Sequence, residues 1–223
     1  YTTLNTGARM PMLGFGVFQV TDLMQCKQIV LDAIDIGYRL FDTAAVYGNE
    51  AAVGEAIAEA IAMGKVKRED LFITSKLWVQ DMNAYDVDEG IDRSLRNLGL
   101  EYIDLYLLHQ AMGDYFSAWR GLEQAYRDGR LMNIGVSNFY PDRLVDFIMN
   151  NEVVPAVNQV ETHPFNQQVK ANEIMKEYGV QIESWGPFAE GKNGIFTNEI
   201  LSEIGKKYNK SVAQVISRWL IQR

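Results

Sequence analysis

Four residues at or just beyond the ends of successive apolar runs could act on one another. FDTAAVYGNE (41–50) ends an apolar run on Asp42 and carries Tyr47 five residues later. TSKLW (74–78) places Lys76 in the next such run, and LLHQ (107–110) places His109 at the end of the one after. A carboxylate leaving a buried strand is costly unless something pairs with it, and a lysine is a suitable partner. A cation near a phenol favours phenolate and lowers the ordinary value of about 10. Tyr47 beside Lys76 could therefore give up a proton, acting as a general acid, or as a base in the reverse direction. Each residue also has a plainer reading. Asp42 could cap a helix starting near Asn49, Lys76 could snorkel to water, and His109 could be a satisfied core histidine. Lys76 could instead be a Schiff-base nucleophile, as in an aldolase, although a neighbouring aspartate would hold it protonated.

The elements that must position these residues repeat along the chain. Short apolar runs at 13–18, 38–43, 70–78, 102–109, 131–139, 155–162 and 180–186 alternate with helical stretches whose apolar residues recur near every 3.6 positions. Several helices end at glycine, at Gly64, Gly99, Gly129 and Gly179. A longer loop follows the seventh run, then a last helix at 211–222. The opening TTLNTGARMPML carries a turn signal, NTG, between two short pieces and predicts a small hairpin. Seven strand–helix units predict an α/β fold, a (β/α)8 TIM barrel formed as one domain over 1–223. An eighth strand and a C-terminal loop are expected to be missing from this chain, since a closed barrel of this kind needs eight strands.

Barrels of this kind carry their chemistry at the C-terminal strand ends. In order these are Gly16-Val17-Phe18, Asp42 with Tyr47 in the loop beyond it, Lys76 to Trp78, His109-Gln110, Ser137-Asn138-Phe139, Gln159 with Glu161, and Ser184-Trp185. Convergence at one mouth makes the joint pattern of acid, phenol, cation and imidazole harder to dismiss than any member alone.

Composition narrows the partners. The formal net charge of −8 argues against general nucleic-acid binding, while leaving room for a local anion site. A single cysteine, Cys26, forms no internal disulfide, which makes a reducing cytoplasm the default. No apolar run approaches the roughly 20 residues of a membrane span. Glu161 and His163 have no cysteine or histidine cluster around them, and no metal is expected. LGFGVF has Gln19 where a G-x-G-x-x-G fingerprint needs glycine, so no Rossmann site is expected.

With FDTAAVYGNE, TSKLW, LLHQ, GVSNF, NQVETHP and SWGPF in this order, the chain resembles the aldo-keto reductase family over essentially its whole length, most nearly the bacterial branch acting on small aldehydes and keto sugars or keto acids. The resemblance implies an NAD(P)H-dependent carbonyl reductase. Tyr47 would be the general acid, Asp42 and Lys76 its supporting pair, and His109 the group orienting the substrate oxygen. Ser137, Asn138 and Gln159 would bind the nicotinamide amide, and Trp185 would stack on its ring where many relatives have tyrosine. Gly16 and Val17 would lie beside the dinucleotide backbone, and Asp42 would belong to the cofactor-binding set. Phe18, Trp78, Gln110 and Phe139 would rim the substrate pocket. NADP is the expected cofactor from family habit, with NAD left open, because the basic segment that usually grips the 2′-phosphate follows the eighth strand. The substrate would be a small aldehyde or ketone and the protein a monomer or weak oligomer. A barrel that binds NADP without turnover is the remaining alternative.

Overall fold

The computed structural model describes residues 1–223. Strands β1 (Thr2–Thr3) and β2 (Arg9–Met10) pair antiparallel, forming the predicted hairpin. The main sheet then runs β3 (Gly14–Gly16), β4 (Leu40–Asp42), β5 (Phe72–Leu77), β6 (Leu105–Leu108), β7 (Ile134–Ser137), β8 (Val157–Glu161) and β9 (Gln181–Trp185). All six neighbouring pairs are parallel and in sequence order. Helices α1 (Leu23–Asp35), α2 (Glu50–Ala62), α3 (Val87–Leu98), α4 (Tyr115–Arg127), α5 (Pro141–Met149) and α6 (Val169–Glu177) each link one strand to the next. This is the curled parallel sheet of a (β/α)8 barrel, in seven strands.

The stretch after β9 departs from the expected long loop. It contains α7 (Glu199–Tyr208), N-capped by Asn198, before the final helix α8 (Val212–Ile221). The signal was present as an N-cap asparagine followed by Ile200, Leu201 and Ile204. Ile200 and Ile204 remain exposed, which blurs the apolar stripe.

Successive strand residues point to opposite faces. On one face, the helix-packed core includes Phe41, Ile73, Tyr106, Leu108 and Val136. On the other, Leu40, Phe72, Leu105, Leu107 and Val157 form a second apolar cluster, closed from below by Leu4 and Met10 around the hairpin. Two residues further along the same interior face lie Asp42 beyond Leu40, His109 beyond Leu107 and Gln159 beyond Val157. The interior is thus apolar at the hairpin end and polar at the other. Gly135 on β7 is required by this packing, since a Cβ there would sit 2.6 Å from the Val157 carbonyl oxygen and 2.7 Å from Leu107.

Candidate active site

Lys76 is fully buried, yet its ammonium has three partners. Nζ donates to Asp42 Oδ1 at 2.5 Å and to the Thr43 carbonyl at 3.0 Å, and it contacts the Tyr47 hydroxyl at 3.4 Å. Burial alone would strip the charge. Attraction from Asp42 and Tyr47 outweighs burial and raises the pKa of Lys76 above its ordinary value. A lysine held charged in this way is a poor Schiff-base nucleophile.

Tyr47 reaches this position because β4 ends at Asp42 and a single tight helical turn, Ala45–Tyr47, follows. Gly48, in a left-handed conformation (φ 69°), then turns the chain into α2. One expectation needs correction here. Burial is the largest influence on the Tyr47 phenol and raises its pKa, with Lys76 pulling the other way without prevailing. The predicted cation is in place, but it only partly offsets desolvation.

His109 is buried against Trp78 and Tyr47, with ring centroids 5.1 and 5.6 Å away. Burial, then the Lys76 charge, lowers its pKa to about 3, so the ring is neutral at ordinary pH. Its Nδ1 is buried with no partner.

Ser137, Asn138, Gln159 and Trp185 form one connected group. Trp185 Nε1 donates to Asn138 Oδ1 at 2.9 Å. Asn138 Nδ2 donates to the His109 carbonyl and to Ser137 Oγ. Ser137 Oγ donates to the Gln159 carbonyl, and Gln159 Nε2 donates to Asp42 Oδ2 at 2.9 Å. Both oxygens of Asp42 are therefore engaged.

The remaining residues divide. Phe18 is exposed and rests on Tyr47 (4.9 Å between centroids). Trp78 and Gln110 are half-buried beyond their strand ends. Gly16 is exposed and pairs in register with Asp42. Val17 is 1% exposed and packs in the core, and its carbonyl accepts from Asn49 Nδ2. Phe139, expected on the pocket rim, is also 1% exposed. It packs edge-on against Tyr115 and Phe147 behind the sheet, because α4 and α5 close over it.

Three residues escaped prediction as parts of this assembly. Asn49 does not cap α2 with its side chain. Its Oδ1 accepts from Thr43, and its Nδ2 donates to the carbonyls of Val17 and Val20, joining the loops after β3 and β4. Glu50, 2% exposed, accepts from Ser75 Oγ at 2.6 Å and from Asn97, bracing the strand that carries Lys76. Asn49 and Glu50 also begin α2, as its N-cap position and first residue, so these bonds add to a helix-starting role. Glu183 lies in register with Gln159. Its position two residues before Trp185 was the available signal.

Residues 12–223 match the model of the aldo/keto reductase family. The chain belongs to this family. Among aldo/keto reductase relatives and related oxidoreductases, it is 45% identical over 221 residues to the uncharacterized oxidoreductase YtbE of Bacillus subtilis, covering 99% of this chain and 78% of that protein. It is 44% identical to the glyoxal reductase of the same organism, covering 98% and 78% respectively. Among solved aldo/keto reductases, one from Bombyx mori in complex with NADP superposes with a TM-score of 0.94 at 35% identity, covering 99% of this chain and 80% of that one. The chain is thus an oxidoreductase on the barrel scaffold of its family. No helix is long and apolar enough to cross a membrane.

Proposed function

We propose that this chain reduces small aldehydes or ketones to alcohols, with NADPH as the reductant and Tyr47 as the proton donor. One observation carries the reading. A single buried ammonium, Lys76, touches both the Asp42 carboxylate and the Tyr47 hydroxyl, beside a neutral imidazole.

As negative charge grows on a carbonyl oxygen, Tyr47 delivers its proton there. Lys76 stabilises the phenolate left behind, and Asp42 keeps Lys76 charged and fixed. His109 offers a neutral ring to orient the oxygen. In the reverse direction Tyr47 takes the proton back. Phe18, Trp78 and Gln110 border the approach to this point.

The nicotinamide cofactor would supply the hydride, which no side chain can. The residues present fit such a group. Ser137, Asn138 and Gln159 offer a hydroxyl and two side-chain amides at adjacent strand ends, a set suited to a planar carboxamide. Trp185, tied by Nε1 to Asn138, presents a half-buried aromatic surface suited to stacking. Gly16, open and without a side chain, allows close approach of a dinucleotide backbone beside Asp42. The NADP-bound relative and the glyoxal reductase support this choice of cofactor and substrate class.

The test is NADPH oxidation with glyoxal, methylglyoxal and a nitrobenzaldehyde, with NADH in parallel. Tyr47→Phe should lower kcat by roughly 10²–10⁴ while retaining NADPH binding, read as quenching of tryptophan fluorescence. Full activity in that variant would remove the acid assignment. Tight binding without turnover over a broad carbonyl panel would favour a non-catalytic barrel. Borohydride trapping of substrate on Lys76 without nicotinamide would favour an aldolase.

A further inference from the structure

The carboxyl of Glu183 has no part in the steps above. Glu183 and Trp185 share a strand face, and Glu183 pairs in register with Gln159 on β8. The residue as a whole is only partly shielded, because β9 has a strand neighbour on one side alone, but Oε2 is buried and has no hydrogen-bond partner. A shielded carboxyl oxygen without a partner is costly as an anion. The groups acting on it come from across the interior. They are Asp42 on β4, Lys76 on β5 and the Gln159 amide on β8. Tyr47, on the turn after β4, feels the Glu183 charge in return. Helix α6, packed against β9, buries Ala171, Asn172 and Met175 and adds no charged group to this set.

Gln159 Nε2 already donates to Asp42 Oδ2, and Lys76 occupies Oδ1. Glu183 is therefore a second interior carboxyl near one lysine whose charge is already matched. We infer that Glu183 is a positioning residue of this site whose carboxyl, by holding or releasing its proton, sets how tightly Tyr47 holds its own. This rests on Tyr47 being the proton donor.

Burial, then repulsion from Asp42, pushes the Glu183 carboxyl up to about 7, against the pull of Lys76 and the Gln159 amide. Below neutrality Glu183 is neutral. Above it, the carboxyl loses its proton to solvent and adds a second negative charge that favours the protonated phenol. Reduction needs protonated Tyr47, so ionised Glu183 extends it toward alkaline pH. Oxidation of the alcohol needs phenolate, so ionised Glu183 moves its rising limb upward.

Two measurements on the full chain test this. In protein labelled with ¹³C-glutamate, one side-chain carboxyl resonance should titrate near pH 7, and it should be absent from Glu183→Gln. In alcohol oxidation, Glu183→Gln should move the rising limb of kcat/KM down by about one pH unit, a roughly tenfold larger phenolate fraction at a given pH. Glu183→Asp should restore most of the wild-type limb. A Glu183 resonance with an ordinary carboxylate midpoint overturns the inference, as does an unmoved limb in a folded Gln variant. If the Gln variant does not fold, the Asp variant assigns the resonance and the same midpoint decides. The resonance reports on Glu183 without turnover. Failure of the wider reading would instead appear as activity retained in Tyr47→Phe.

Discussion

Lys76 and Asp42 are joined at 2.5 Å with the lysine fully buried and the Asp42 side chain 15% exposed. Removing one partner of such a pair costs more than removing both, because a lone buried charge is left behind. Lys76→Met should lower unfolding stability by about 3 kcal/mol. The double variant Asp42→Asn, Lys76→Met should recover part of that loss in urea unfolding. Neither should regain activity, since Tyr47 would lack the cation that stabilises its phenolate.

Asn49 should behave as a clamp. Asn49→Ala leaves the Val17 and Val20 carbonyls and the Thr43 hydroxyl without their side-chain partner. Unsatisfied buried groups cost about 1–3 kcal/mol each, but the Val17 carbonyl keeps its bond from the Val20 amide and water reaches the Val20 side of the loop, which reduces the total. At about 2–4 °C per kcal/mol for a chain of this size, calorimetry should show a Tm lower by several degrees. KM should rise more than kcat falls, because Phe18 lies on the tethered loop while Asp42 and Lys76 keep their contact.

His109 should make the fold sensitive to acid. Its pKa falls from 6.5 to about 3 on folding, through burial and then the Lys76 charge. Between those values the unfolded chain binds more protons, so its contribution to stability shrinks as pH falls. His109→Gln should lose less stability than wild type over that range. Urea midpoints at a series of pH values, compared between the two proteins, isolate this difference. Glu183 slopes the other way, because its pKa is raised on folding to about 7. Its stabilising share is present below the ordinary carboxylate value and is lost as pH rises through about 7.

Trp185 should separate stacking from anchoring. Trp185→Phe keeps a ring but loses the bond to Asn138 Oδ1, whereas Trp185→Ala loses both. NADPH affinity, measured calorimetrically, should fall modestly in the first. The second should fall further, by an additional ~1 kcal/mol or so from lost aromatic contact. Equal affinity in the two variants would exclude a stacking role.

The hairpin, the seven parallel strands and the order of the strand-end residues were legible in the sequence because they rest on local signals. Alternation along a strand, glycine at helix ends and polar residues closing apolar runs are all short-range. Asp42, Tyr47, Lys76 and His109 could be named from these alone. The same alternation leads from Trp185 back to Glu183, two residues earlier on the same face. Helix α7 is less legible, since both of its isoleucines, Ile200 and Ile204, are exposed.

What the sequence determined by itself was which side chains stand at the polar end of each strand. Tertiary structure decided what they meet there. Curling of the sheet brings Gln159 within 2.9 Å of Asp42, although 117 residues separate them in the chain. Closure of α4 and α5 withdraws Phe139 into the core, and packing of the loops after β3 and β4 makes Asn49 a tether as well as a helix start. Tyr47, half-buried against Phe18 and His109, loses enough water that burial outweighs Lys76 in setting its acidity. Residue type and spacing are fixed along the chain, but desolvation and cross-strand distance exist only once the sheet has curved and its helices have packed.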